Sequence, residues 1–435
     1  MPGKPQLHSI VAIAMLVTLT AALIGTAVAI FLWSLDHVTR LRFDYPWLLW
    51  TLPLVGGAVG LLYHFIGGAA DRGNNLIIEQ IHEPGGGVPR RMTPLVLLGT
   101  LLTHLGGGSA GREGTAVQMG GSIAGALCRH LRLSPEVTGV LLMSGVAAGF
   151  GAVFGTPWAG AVFAIEVLTV GRLRYRAIVP CLLAAFVGDR VCMAWDVHWL
   201  GLHFQAHHTN YRLDALTGTA TPTIMAMLLA KVVAAAVLFG LASLLFAEMT
   251  HGVSALFRRF IAWPPLRPVV GGCVVIALVY LVGTRDYLGL GVTPDPHHAD
   301  GVSIVSSFHA GGATPWSWAW KTVFTAVTLG SGFKGGEVTP LFFVGATLGH
   351  ALAGLFDAPF ELFAALGFVA VFAGATNTPL ACTIMGIELF GGTATTPGLV
   401  LYLAVACWVA YACSGRTGIY LSQRVGEKTL RELRG

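Results

Sequence analysis

LGGGSAGREGT, from Leu105 to Thr115, and LGSGFKGGEVT, from Leu329 to Thr339, are two forms of one phrase, identical at six of eleven positions and about half the chain apart. Each sets a single glutamate, Glu113 or Glu337, in a glycine-rich turn flanked by hydrophobic sequence. The likeness continues downstream, where GVAAGFGAVFGTPWAGAVFAIE ends at Glu166 and LGFVAVFAGATNTPLACTIMGIE ends at Glu388. In both, a Thr-Pro pair (Thr156-Pro157, Thr378-Pro379) precedes the final glutamate, and the two glutamates of a half are 53 residues apart in the first and 51 in the second. Two matched spacings define an internal repeat, with halves of about 1–215 and 216–435.

Composition puts that repeat in a membrane. The chain is 54% hydrophobic and 11% charged, with a mean hydropathy of +0.71, against roughly 25% charged residues in soluble domains. Ser9–Leu35, Val137–Ile165 and Leu389–Gly415 hold no charged residue, and each exceeds the ~20 residues that cross a bilayer. The first run is longer than the roughly 7–15 apolar residues of a signal peptide, so it reads as a retained helix. Further segments are expected near Tyr45–Ala70, Met92–Leu105, Ala177–Phe186, Thr217–Ala247, Pro268–Thr284, Val338–Phe356 and Leu362–Ile387. With 57 glycines and 21 prolines, many of these helices should start or stop inside the membrane. The expected class is an all-α integral membrane protein.

Seven cysteines without a CxxC pair read as small core residues, not as disulfides or metal ligands. The net charge of +5 resides partly in a basic tail with Arg424, Lys428, Arg431 and Arg434. It favours a cytoplasmic C-terminus and implies no nucleic-acid binding.

Duplicated halves with interrupted hydrophobic segments at matching places point to the binding site of a secondary transporter. Free N–H groups and the macrodipole make a helix start an anion site, and glycine lets the backbone come close to the ion. Two other motifs occur in the same phrase. Gly106-x-Gly108-x-x-Gly111 fits a dinucleotide fingerprint but lacks the soluble βαβ unit. Gly107-Gly-Ser109-Ala-Gly111 spells a nucleophile elbow, so an intramembrane hydrolase, with His104 as the nearby imidazole, is the enzyme alternative.

These residues resemble the CLC family of chloride channels and anion/proton exchangers. GREGT at Gly111–Thr115 is similar to the family's GREGP phrase and is followed by Val117-Gln118-x-Gly120-Gly121. GGEVTP at Gly335–Pro340 takes the place of GxFxP and precedes the LxxxGATLG pattern of Leu341–Gly349. Tyr420 in GRTGIY matches the tyrosine that closes the family's central anion site. The resemblance covers roughly residues 10 to 425. It implies a CLC fold of inverted halves, a homodimer with one pathway per subunit, and no appended cytoplasmic domain, cofactor or nucleotide.

Departures from the usual pattern carry the substrate argument. GNNLI at Gly73–Ile77 places Asn74 where the family has the serine of GSGIP, and GGGVP at Gly85–Pro89 reads as a loop turn. Glu337, Val338 and Thr339 replace the apolar stretch of GxFxP, and Val167 follows Glu166 where exchangers carry an inner proton glutamate. The combination resembles the fluoride-transporting CLC-F clade. That resemblance implies fluoride export in exchange for protons across a bacterial inner membrane; a passive fluoride channel and a chloride/proton exchanger are the alternatives. Fluoride is small and strongly hydrated, so its site needs tight donors, and Asn74, Thr339 and Tyr420 can donate. Gly111, Gly114 and Val338 complete the expected anion site. Glu113 is expected to gate it and couple it to protons, because burial and a neighbouring anion both favour protonation. Pairing with Arg112 is its plainer role. Glu337 reads as a second proton acceptor, as an orienter of donors, or as a partner of Lys334. Glu166 and Glu388 read as structural caps or interface residues, and His207-His208 and His297-His298 as solvated loop histidines. Trp316, Trp318 and Trp320 suit a membrane-interface belt.

Overall fold

The computed structural model describes residues 7–85, 87–199, 202–204, 222–391, 398–415 and 418–433. The expected boundary between the halves and the His207-His208 pair lie outside the described residues. The first half builds α1 (Leu7–Asp44), α2 (Leu52–Leu62), α3 (Asn74–His82), α4 (Met92–Leu105), α5 (Glu113–His130), α6 (Pro135–Phe154), α7 (Pro157–Glu166) and α8 (Ile178–Ala194). The second builds α9 (Pro222–Phe260), α10 (Leu266–Val282), α11 (Ser317–Ser331), α12 (Val338–Phe356), α13 (Phe360–Thr376), α14 (Pro379–Phe390), α15 (Leu399–Cys413) and the short α16 (Leu430–Leu433). Two small antiparallel ribbons complete it: β1 (Val197–Trp199) with β2 (Leu202–Phe204), and β3 (Arg424–Val425) with β4 (Lys428–Thr429). Six helical stretches of the described residues are long and apolar enough to span a membrane.

Helix boundaries follow local chemistry. The uninterrupted apolar runs 137–165 and 362–387 each split in two, by the same device. Gly155 (φ 71°) ends α6 and Asn377 (φ 57°) ends α13, both left-handed, and Pro157 and Pro379 open the next helices. Proline cannot continue the preceding helix but is well suited to the first turn of a new one. The expected segment Tyr45–Ala70 also breaks, into a 3₁₀ turn at Pro46–Thr51, α2, a π turn at Tyr63–Gly67 and a second 3₁₀ turn at Gly68–Arg72. Gly73, at φ 55°, then redirects the chain into α3.

At the centre, α5 packs on α6 and α12 on α13 through glycine. A Cβ on Gly120 would lie 2.1 Å from the Gly145 carbonyl oxygen, and one on Gly345 2.0 Å from that of Gly367. Small residues let membrane helices approach to backbone contact. Phe342 and Phe368 stack at 3.9 Å across the second pair. Met15, Leu54, Phe65 and Leu281 are exposed on the outside, as a lipid-facing surface requires. α1 is part of this body, with Val17, Ala21, Ile24 and Val28 buried in the core. Five of the seven cysteines are buried too, Cys273 being exposed and Cys413 intermediate.

Candidate functional site

The loops that carry the repeated phrase meet face to face. Gly111 N–H donates to the Gly336 carbonyl at 2.6 Å, and Gly336 N–H returns the bond to Gly111 at 2.7 Å. This antiparallel bridge places Gly111 opposite Gly336. Arg112 then faces Gly335, and when the two phrases are aligned each opposition is the other with the halves exchanged. Only glycine permits the approach. A Cβ on Gly336 would stand 2.8 Å from Gly114 N, and one on Gly111 would stand 2.9 Å from both Thr339 N and Thr339 Oγ1. The bridge brings the starts of α5 and α12 together, two sets of free N–H groups around one point.

Glu113, the first residue of α5, turns its carboxylate across to the other helix. Its Oε2 accepts from Thr339 N–H at 3.0 Å, from Thr339 O–H at 2.5 Å and from Arg112 N–H at 3.2 Å. Oε1 lies 3.6 Å from Arg112 Nε, so pairing with Arg112 accompanies the Thr339 contacts. The glutamate is 2% exposed. A carboxyl oxygen thus fills the donor pair at the start of α12.

The other expected residues gather around this pair with distinct tasks. Asn74 begins α3, whose N-cap is Gly73, and makes no capping bond of its own. Its Oδ1 is buried without a hydrogen bond, and its Nδ2 would lie 3.3 Å from a Cβ on Gly114. Val338 and Tyr420 are buried, and Tyr420 is close enough to feel the charges of both Glu113 and Glu337. Gly111 lies at the centre, but its N–H is committed to Gly336, so its part is to admit Thr339 and not to donate. Glu337 precedes α12, half-buried, and its carboxyl makes no hydrogen bond or ion pair among the described residues. Lys334 does not neutralise it, because its Nζ binds Asp71 at 2.5 Å and lies over the Tyr63 ring at 4.1 Å.

Glu166 and Glu388 cap each other's helices. Glu166 accepts from Leu380 N–H at 3.1 Å and Ala381 N–H at 2.7 Å, at the start of α14. Glu388 accepts from Trp158 N–H at 3.0 Å and Ala159 N–H at 2.8 Å, at the start of α7. Ser109 is buried, with its hydroxyl 2.9 Å from Thr325 Oγ1 and its N–H on Thr328 at 3.1 Å. His104 faces two backbone carbonyls, those of Thr100 and Ala110. The serine and the imidazole are therefore engaged separately, and the nucleophile-elbow geometry does not form. Sequence reasoning missed Gly336, the residue that joins the halves; the signal was its place beside Gly335 in the aligned phrase.

A broken-helix bundle with a carboxylate between two facing helix starts defines a membrane protein that handles anions. The chain belongs to the voltage-gated chloride channel family, which it matches over residues 55–414. It is 50% identical to the chloride/fluoride channel protein of Pseudomonas syringae pv. tomato, over 94% of this chain and 85% of the relative. A chloride channel ClcB-like protein of Ralstonia nicotianae is 29% identical over 86% of this chain and 84% of its own. Among solved structures, a CLC-type fluoride/proton antiporter is 34% identical and superposes with a TM-score of 0.85, over 97% of this chain and all of that one (100%). A slow cyanobacterial chloride/proton antiporter, 20% identical, shares the fold with a TM-score of 0.71 over 96% and 97% of the two chains.

Proposed function

We propose that this protein moves fluoride out of the cytoplasm in exchange for protons. The carrying observation is the Glu113 carboxylate on the amide and hydroxyl of Thr339. Fluoride is close in size to a carboxylate oxygen and, like it, accepts short hydrogen bonds from N–H and O–H donors. The two therefore compete for one position. Protonation removes the charge that holds Glu113 there, so a proton on the glutamate and an anion on Thr339 accompany one another. The relatives support this reading: one that is half identical is named for chloride and fluoride, and one structure, a third identical, is that of a fluoride/proton antiporter.

Within this reading Glu337, without a bonding partner among the described residues, is a second acid on the proton's route, and Asn74, Gly114, Val338 and Tyr420 line the anion site beside Thr339. The two halves are inverted repeats, the chain forms a homodimer in the inner membrane with both termini in the cytoplasm, and its activity confers resistance to fluoride. Purified protein in liposomes, with an outward fluoride gradient and voltage clamped by valinomycin, should take up protons, and an equal chloride gradient should drive far less. Fluoride loss without proton uptake would make the protein a channel, the reading that the name of the half-identical relative favours. Equal proton uptake with chloride would make it an ordinary exchanger.

A further inference from the structure

A cavity of about 690 Å³ opens beside the site, from the end of α1 and the segment after α10 inward to Gly107 and Arg112. Its inner end is one residue from Glu113. The acceptors of its wall each have a partner within the protein. Asp36 pairs with Arg40 at 2.8 Å, Asp286 takes Val302 N–H at 3.1 Å and Asp295 takes His297 N–H at 2.9 Å. The carbonyls of Tyr287 and Gly289 are drawn to the buried Lys321 ammonium, at 3.1 and 2.8 Å, and that of Gly291 takes Ile304 N–H at 2.8 Å.

Several donors lack a hydrogen-bond partner. The Arg42 guanidinium makes no hydrogen bond or ion pair among the described residues; it lies over the Phe43 ring at 4.5 Å and feels the charges of Asp295 and Arg285. Its Nη2 lies against Gly289, 3.3 Å from where a Cβ would be. Arg112 Nε is buried without a hydrogen bond, its one partner being the Glu113 carboxylate at 3.6 Å. The N–H groups of Leu290 and Gly291 are likewise unbonded among the described residues. Around them φ alternates, positive at Gly289 (56°), negative at Leu290 and positive at Gly291 (71°), the pattern of a backbone nest that gathers successive N–H groups on an anion.

We propose that Arg42 and the amides of Leu290 and Gly291 form a second anion site, in which a small inorganic anion is held at the mouth of the cavity before it passes Arg112 and displaces Glu113. The proposal rests on the transport reading for its role but not for its existence. Arg42 and the two open amides favour an anion over a cation at this end of the cavity. Arg42 is the one charged side chain of the proposed site, while Asp36, Asp286 and Asp295 also stand on the cavity wall, so binding is loose enough to release the ion inward, as conduction between adjacent sites requires.

Bromide, soaked into crystals of the whole protein, should give an anomalous peak between Arg42 and Gly291 that is lost in Arg42→Gln. A peak absent from the unaltered protein, or unchanged in the variant, overturns the site, and so does rubidium bound there in place of bromide. In liposomes, Arg42→Gln should raise half-saturating fluoride on the vestibule side about tenfold and leave the opposite side unchanged, with Arg42→Lys in between. No change, or an equal change on both sides, overturns the loading role. Bromide decides the site even in a protein that carries no fluoride, so failure of this proposal and failure of the transport reading are separable.

Discussion

Glu113 and Thr339 form the contact on which the proposed exchange rests. Three donors converge on a single carboxylate oxygen, two of them from Thr339. Removing the hydroxyl while keeping the shape, Thr339→Val, leaves the amide alone to hold the ion. A hydrogen bond to a charged acceptor contributes about 1.5–3 kcal/mol, so fluoride should bind roughly ten- to a hundredfold more weakly. Fluoride titration of the purified protein measures it, and chloride binding should fall less. Glu113→Gln keeps an oxygen on Thr339 but cannot exchange a proton, and should abolish proton uptake in the liposome assay; coupled flux that survives would end the gating account. Sequence alone supplied Glu113, Thr339 and Tyr420, because each stands in a motif. It could not tell that Gly111 is committed to Gly336, since that bond joins loops far apart in the chain, nor that Lys334 serves Asp71, a partner set by the turns after α2.

Helices in this protein are short because their ends are useful. α7 and α14 each begin at a proline that follows a left-handed residue, and each has its leading N–H groups satisfied by a glutamate from the other half. Glu166→Ala and Glu388→Ala should each destabilise the fold by about 1–3 kcal/mol. The caps lie at opposite ends of the α7/α14 pair, so the double variant should show the sum of the two effects, as separated sites do. Thermal unfolding in detergent tests this; a double variant no worse than either single one would mean the caps act as a unit. Gly336→Ala is a different kind of change. Its Cβ would meet backbone, 2.8 Å from Gly114 N, and would part the bridge. Fluoride transport should be lost while the variant still elutes from a sizing column where the unaltered protein does. The matched glutamates were visible in the sequence as structural caps or interface residues, but the reciprocity of the capping was not. The breaks at Gly155 and Asn377 were hidden inside charge-free runs, where hydropathy carries no periodic signal.

Across the whole molecule the halves agree in plan and differ at the site. Each has a long first helix, α1 or α9, and each carries a five-helix series, α4–α8 or α11–α15. The equivalents of Glu113 and Thr339 are Glu337 and Thr115. The Thr115 hydroxyl is bonded to that of Thr100 at 2.8 Å and does not hold Glu337, whereas Thr339 meets Glu113. Expression in a fluoride-sensitive bacterium should restore growth in fluoride, and Glu113→Gln should remove that protection. Growth no better than with an empty vector would argue against export. The exchange of caps has an outcome for synthesis as well. Glu388 lies more than two hundred residues beyond the start of α7, so α7 is synthesised well before the carboxylate that takes its leading amides. The first half thus depends on a side chain of the second to complete one of its own helices.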